Sequence, residues 1–443
     1  MTRILLLMLA MFWLSPLHSA EPSEREKKVR ADRERVEAQG FWIYNDLEKA
    51  YETARKTGKP ILVSMRCIPC EECVKLDDDL IDNDPTVRSL LDQFVCVRVV
   101  GTNGLDLSTF QYDTDQSFAM FMLNADKTIY GRFGTRSHRT EWFGDVSLEG
   151  MAAALQGALA LHQRYPGNRE QLAAKRGKPL EFASPEQYPS LKDKYTNEIN
   201  YDGDVVKSCI HCHQIGDARR EYYWHRSEPI PESLLFPFPH PKSVGLVLNP
   251  QKRAVVQSVI DDSPAARSGL QAGDEILTMD SQPLISMADV QWVLHHQAES
   301  GATVPMTLRR EGKIISSSLT LPNGWRRLDD PRWRVSSWGV CRMVTGGMRL
   351  KALTEDERRD LNIEGDQMAL IATSVGRYGP HAAAKKAGFK KDDVVIGYDG
   401  QTNLMREAEL FAYATAKFKP GDKVPVKLIR NGETKTLTMP IQR

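Results

Sequence analysis

Apolar residues run unbroken from Ile4 to Leu14, and after Ser15-Pro16-Leu17-His18-Ser19-Ala20 the pattern turns to alternating charges as far as Glu37. A basic residue, about a dozen apolar ones and a small residue at the cut make residues 1–20 a secretory signal. The run is shorter than the roughly 20 apolar residues of a membrane span, so the mature chain is expected to carry no transmembrane helix. Residues 21–38 predict a charged, solvated helix. Leu47, Tyr51 and Ala54 then recur at helical spacing between Asn45 as cap and Gly58 as stop. Pro60–Met65, Val95–Val100 and Ala119–Leu123 read as buried strands, Asp84-Pro85 opens a helix, and Asn124–Lys127 turns into a strand over Thr128–Arg132. Such alternation predicts an α/β unit.

Beyond residue 166 the periodicity weakens into a charged, proline-dotted connector. It ends at Cys209-Ile210-His211-Cys212-His213 and a run of prolines at 229, 231, 237, 239 and 241. The rest is a degenerate repeat. Val255–Val259, Ser263–Leu270 and Gly273–Leu277 correspond to Ile371–Val375, Ala382–Phe389 and Asp392–Ile396, and both copies close on a strand pair turning at Arg310-Glu311-Gly312 and Arg430-Asn431-Gly432. Two copies predict two similar, mainly β domains rather than a solenoid.

With 443 residues, about three domains are expected. Lys and Arg number 59 against 58 Asp and Glu, a balance that argues against a nucleic-acid partner. Export changes the reading of the seven cysteines, because disulfides and covalent haem form outside the cytoplasm. Cys70-Glu71-Glu72-Cys73 follows a strand and opens a helix, where unpaired N–H groups favour a thiolate, while the two glutamates oppose it and point to a reducing pair. Cys67 offers an alternative partner, and a structural disulfide or metal cluster is the other reading. Cys96 and Cys341 are expected in cores.

The order of elements around Cys70 and Cys73 resembles the thioredoxin-like family over residues 39–165, although no proline stands at Ser117-Phe118-Ala119, where that family has one. The resemblance implies catalysis by Cys70 and Cys73, with Cys67 as a possible third thiol. Cys209, Cys212 and His213 have the spacing of c-type haem attachment, similar to cytochromes c, which implies a covalent haem with His213 on the iron. His225 or His240 would be the sixth ligand, ahead of Met279 or Met287. Zinc held by Cys209, Cys212, His213 and His225 is the alternative. Each repeat copy resembles a PDZ domain of bacterial periplasmic proteases. This implies peptide-carboxylate loops at Gly245-Leu246-Val247 and Trp338-Gly339-Val340, protein or peptide C-termini as partners, and a helix from Met287 to Gln297 closing the first groove, with His295 and His296 on its surface. Leu350–Ile363 would insert an amphipathic helix in the second copy, and Asp392 replaces its turn glycine.

The fold expected is α/β plus mainly β: a thioredoxin-like domain (39–165), a connector with a short haem segment (166–241) and two PDZ-like β-barrels (242–323 and 330–443). The functions expected are an exported thiol-disulfide or electron-transfer protein whose PDZ domains recruit a partner, or a non-enzymatic PDZ scaffold. No Gly-x-Ser-Gly-like context is present, so a serine protease is not expected.

Overall fold

The computed structural model describes residues 23–66, 84–116, 118–135, 137–138, 141–142 and 146–443. The secretory signal and Cys67, Cys70 and Cys73 lie outside the described residues.

Strands buried along their whole length build the N-terminal unit. Strands β1 (Ile43–Tyr44), β2 (Ile61–Met65), β3 (Val95–Val99), β4 (Phe118–Leu123) and β5 (Ile129–Thr135) form one sheet in the order β1-β3-β2-β4-β5. The β1-β3 and β2-β3 pairs are parallel, while β2-β4 and β4-β5 are antiparallel. Ile61, Val63 and Met65 pack on one face with Ala50, Tyr51 and Ala54 of helix α1 (Leu47–Thr57). Leu62 packs on the other with Val87 and Leu91 of α2 (Pro85–Leu91) and Met151 and Leu155 of α3 (Leu148–Gln163). Both faces are covered, which explains strands apolar at nearly every position. The cap of α1 is Asp46, whose carboxylate accepts from the Lys49 amide. Asn45, expected there, instead takes φ +51 and accepts from the Val100 amide.

The connector does not form a separate unit. Its helix α4 (Cys212–His225) places Ile215 and Ala218, with Ile210 just before them, in the same apolar cluster as β2 and β3. The chain thus closes the α/β sheet with residues that sequence spacing assigned elsewhere.

The repeat gives open sheets, not the closed barrels expected. The first copy has a two-stranded pair, β6 (Leu246–Leu248) with β7 (Val256–Val259), and a four-stranded sheet β9 (Gln282–Pro283)-β8 (Glu275–Met279)-β10 (Ala302–Arg310)-β11 (Lys313–Leu321). Helix α5 (Pro264–Arg267) precedes β8, and helix α6 (Met287–His295) lies between β9 and β10. The second copy is one five-stranded sheet in sequence order, β12 (Met348–Ala352), β13 (Leu370–Val375), β14 (Val394–Tyr398), β15 (Lys423–Arg430) and β16 (Glu433–Pro440). Both terminal hairpins turn with positive φ at two successive residues, Glu311-Gly312 and Asn431-Gly432, the twist-matched geometry that the repeat pattern predicted. The insert in the second copy is partly strand: Leu350–Ala352 belongs to β12, and the helix is confined to Glu355–Asp360.

The first copy is fastened to the α/β sheet through α6. Asp289 and Lys175 form an ion pair of 3.0 Å with both side chains fully buried. Asp289 also accepts from the Arg132 amide of β5, Trp292 donates to the Ala174 carbonyl and stacks under the Arg132 guanidinium, and Ile285 enters the α/β core. A second fastening is Arg334, buried in the segment that leads into the second copy and bonded to Asp113 of the α/β unit at 2.6 Å, with Asp115 and Asp329 close by. The three carboxylates outweigh burial and hold this guanidinium charged.

Candidate functional site

In the first copy the turn Pro241–Val244 ends at Gly245, with φ +83, and the chain passes directly into β6. An added Cβ at Gly245 would lie 1.9 Å from the Ser263 Oγ and 2.1 Å from the Ser263 Cβ, so only glycine fits. Ser263 is fixed because its hydroxyl caps α5 at the Ala266 amide, with Pro264 in the first turn. The Ser-Pro-Ala-Ala segment thus supports the loop from behind. Among the described residues β6 pairs with β7 on one edge alone, and the turn Pro241–Val244 packs on α6. This arrangement offers a strand edge beside a loop of backbone amides, the geometry that receives an added peptide strand and its terminal carboxylate. The Gly245 amide is already taken, by the Lys242 carbonyl at 3.0 Å.

The second copy corrects the predicted loop. Trp338, Gly339 and Val340 lie in the first turn of helix α7 (Ser337–Thr345), and the Trp338 and Gly339 amides go to the Val335 and Ser336 carbonyls just ahead of it. Gly346 and Gly347 hold the position instead, with φ +58 and +87. The Gly347 carbonyl accepts from Gly376 as the Gly245 carbonyl accepts from Ile260, which fixes the equivalence. The signal was present in the sequence as a Gly-Gly pair ahead of an apolar strand. Asp392 occupies the turn of Gly273 at φ +69, and the adjacent Asp393 is held by Arg430 through two bonds of 2.6 Å, as Asp274 is by Arg310 at 2.7 Å.

This second loop is closed on itself. The amides of Gly346 and Gly347 both go to the Cys341 carbonyl. On the edge of β12 the Leu350 amide donates to the Glu407 Oε1 at 2.6 Å, from the first residue of helix α8 (Glu407–Lys417). Burial pushes the Glu407 carboxyl up to about 7, against the opposing effects of the Leu350 amide, Arg349 and Arg332. Because this value exceeds the ordinary 4.5, the stability Glu407 allows is complete below about pH 4.5 and is lost as pH rises through about 7. The second copy is expected to weaken by about 2 kcal/mol between pH 5 and 7, and Glu407→Gln, which keeps the acceptor, to abolish the dependence. Labelling of the fully buried Cys341 thiol in urea, compared with Glu407→Gln at each pH, measures it.

The cysteine motif does not make a cofactor site. The Cys209 Sγ is enclosed with Val29, Val100, Ile199 and Val205, 3.6 Å from the Val100 carbonyl, and burial pushes its thiol up to about 12. Cys212 begins α4 and accepts from the Tyr112 hydroxyl at 3.0 Å. All the empty space between Met65, Arg66, residues 99–102 and 210–212 is about 210 Å³, below the roughly 300 Å³ of even small ligand pockets. His213 faces Asp217 at 3.6 Å, and His225 at the far end of the same helix lies about 18 Å away. His240 is buried and accepts from the Lys242 amide, while Met279 lies in the core of the first copy. Among the described residues no three His, Cys, Asp or Glu side chains come together to hold a metal. Haem and zinc are both withdrawn. Cys96 and Cys341 are buried in cores, as expected.

Comparison with known proteins bears on the rest. A thioredoxin-like family model matches residues 42–125, and a PDZ domain model matches residues 242–321. A DegP-like periplasmic serine endoprotease of Pseudomonas savastanoi pv. phaseolicola is 27% identical over 190 residues, 42% of this chain and 36% of that protein. The periplasmic pH-dependent serine endoprotease DegQ of Escherichia coli K12 is 28% identical over 150 residues, 34% and 29% of the two chains. Among solved structures, the HtrA-type protease AlgW with a decapeptide shares 20% identity over 30% of this chain and 38% of its own, with a TM-score of 0.20. The chain spans about a third of the length of the curated relatives it matches. These relatives overturn three expectations: the thiol-redox or electron-transfer function, the non-enzymatic scaffold, and the exclusion of serine-protease chemistry. They also need no haem. Export to the periplasm agrees with them, and no helix among the described residues is long and apolar enough to cross a membrane. The chain carries a thioredoxin-like domain over residues 42–125 and a PDZ domain over residues 242–321.

Proposed function

We propose that this chain takes part in proteolysis in the periplasm, of the serine-endoprotease kind for which its relatives are named, and that its first PDZ domain selects polypeptides by their free carboxyl ends. The observation that carries the reading is the left-handed Gly245 at the mouth of an open strand edge, within the segment that the PDZ model matches. A polypeptide end would pair with β6, and the loop that turns at Gly245 would present the Leu246 and Val247 backbone to its carboxylate. The second copy, whose strand edge is already engaged by Glu407, would bind such ends more weakly.

Incubating the full mature chain with unfolded casein tests the reading. Cleavage that a serine-directed fluorophosphonate abolishes, and that rises when a free-acid peptide is added, is the expected result. Intact casein under both conditions would refute it.

A further inference from the structure

The segment ahead of the loop is held on α6. Phe238, only 7% exposed, belongs to the apolar cluster of Val244, Leu246 and Leu248, and its ring stacks on His295 at 4.0 Å. Its amide donates to the His295 Nδ1 at 3.2 Å, and its carbonyl accepts from the Gln291 Nε2 at 3.3 Å. Phe238 thus shares the apolar cluster of the loop and strand and is bonded to the helix through Gln291 and His295, the two elements against which the side chain of an incoming terminal residue would pack. Neither His295 nor its partners lie on a free helix surface, as the sequence suggested. Burial, with His296 and nearby arginines, holds the His295 ring neutral and able to accept.

Two further features mark the segment as removable. Phe238 stands at φ +46, a left-handed conformation that a bulky residue adopts only at a cost. A small cavity lined by Leu107, Ile215, Leu234, Pro237, Phe238 and His295 adjoins the ring. The preceding Pro237 carbonyl accepts from Arg334, so the segment is tied to the same guanidinium that joins the domains.

We propose that Phe236–His240 is an internal ligand of the first PDZ domain, so that a polypeptide binds there only if its own large apolar terminal residue displaces Phe238. The proposal rests on the carboxyl-end recognition put forward above and names the class of end that can compete: one closing in a residue of phenylalanine's size.

The test uses the full mature chain and a short fluorescein-labelled peptide ending in phenylalanine, as the free acid and as the amide. Phe238→Ala is expected to raise affinity for the acid at least tenfold, while the amide stays weak. In the native chain, which needs no substitution to fold, saturating acid peptide should remove hydrogen-exchange protection from the Phe238 amide. Equal acid affinity in the native and Phe238→Ala chains, both preferring acid to amide and with unchanged exchange, overturns the internal ligand and leaves carboxyl-end recognition standing. A folded Phe238→Ala chain that does not distinguish acid from amide overturns the recognition itself. Should Phe238→Ala fail to fold, the exchange measurement decides alone.

Discussion

Arg334→Met is expected to cost the chain about 3–5 kcal/mol, the usual result of removing one partner from a buried ion cluster. Asp113, Asp115 and Asp329 around it are each at most 5–8% exposed, and without the guanidinium their charges would stand in a medium that solvates them poorly. Methionine fills the volume without the charge, so the loss reports electrostatics and not a cavity. Arg334→Lys should recover only part of it, since a single ammonium cannot serve Asp113 and the Pro237 carbonyl together. Urea unfolding followed by exchange of the Arg132 and Leu350 amides, one in the α/β sheet and one in the second copy, reads the effect on each side of the joint. A loss below about 1 kcal/mol would show that Arg334 is not a fastening.

Gly245→Ala carries the second large effect. The positive φ costs an alanine about 1–2 kcal/mol, and the overlap with Ser263 adds a packing penalty of about 1–3 kcal/mol. The loop must move to relieve both, and peptide affinity in the first copy should fall more than tenfold. Gly269 supplies the control. It has φ +70 with open space around an added Cβ, so Gly269→Ala should pay the backbone cost alone and leave binding intact. Equal binding by Gly245→Ala and the native chain would remove the loop from the site.

The α/β order, its strands and the paired repeat were legible in the sequence because each rests on local periodicity. Val95–Val99, Phe118–Leu123 and the two positive-φ hairpin turns stand almost where the pattern put them. The second loop was misplaced for a specific reason. Trp338-Gly339-Val340 imitates the first loop in residue type, but it stands in the first turn of a helix ending at Gly346, and the turn ahead of that helix takes the Trp338 and Gly339 amides. The Cys209–His213 spacing was equally misleading, since spacing along the chain does not reveal that Cys209 turns into the core beside Val100. Phe238, Arg334 and Glu407 carry no local signal at all. Their partners lie 57, 221 and 57 positions away, and only the packed chain brings them together.

Titration of a peptide ending in phenylalanine, as free acid and as amide, into the full mature chain and its Phe238→Ala variant tests the central claim most directly. The carboxylate is the group that the loop amides would hold, so the acid should bind at least tenfold more tightly than the amide, about 1.4 kcal/mol, in both chains. Indistinguishable affinities of acid and amide in both chains would contradict carboxyl-end recognition by the first PDZ domain.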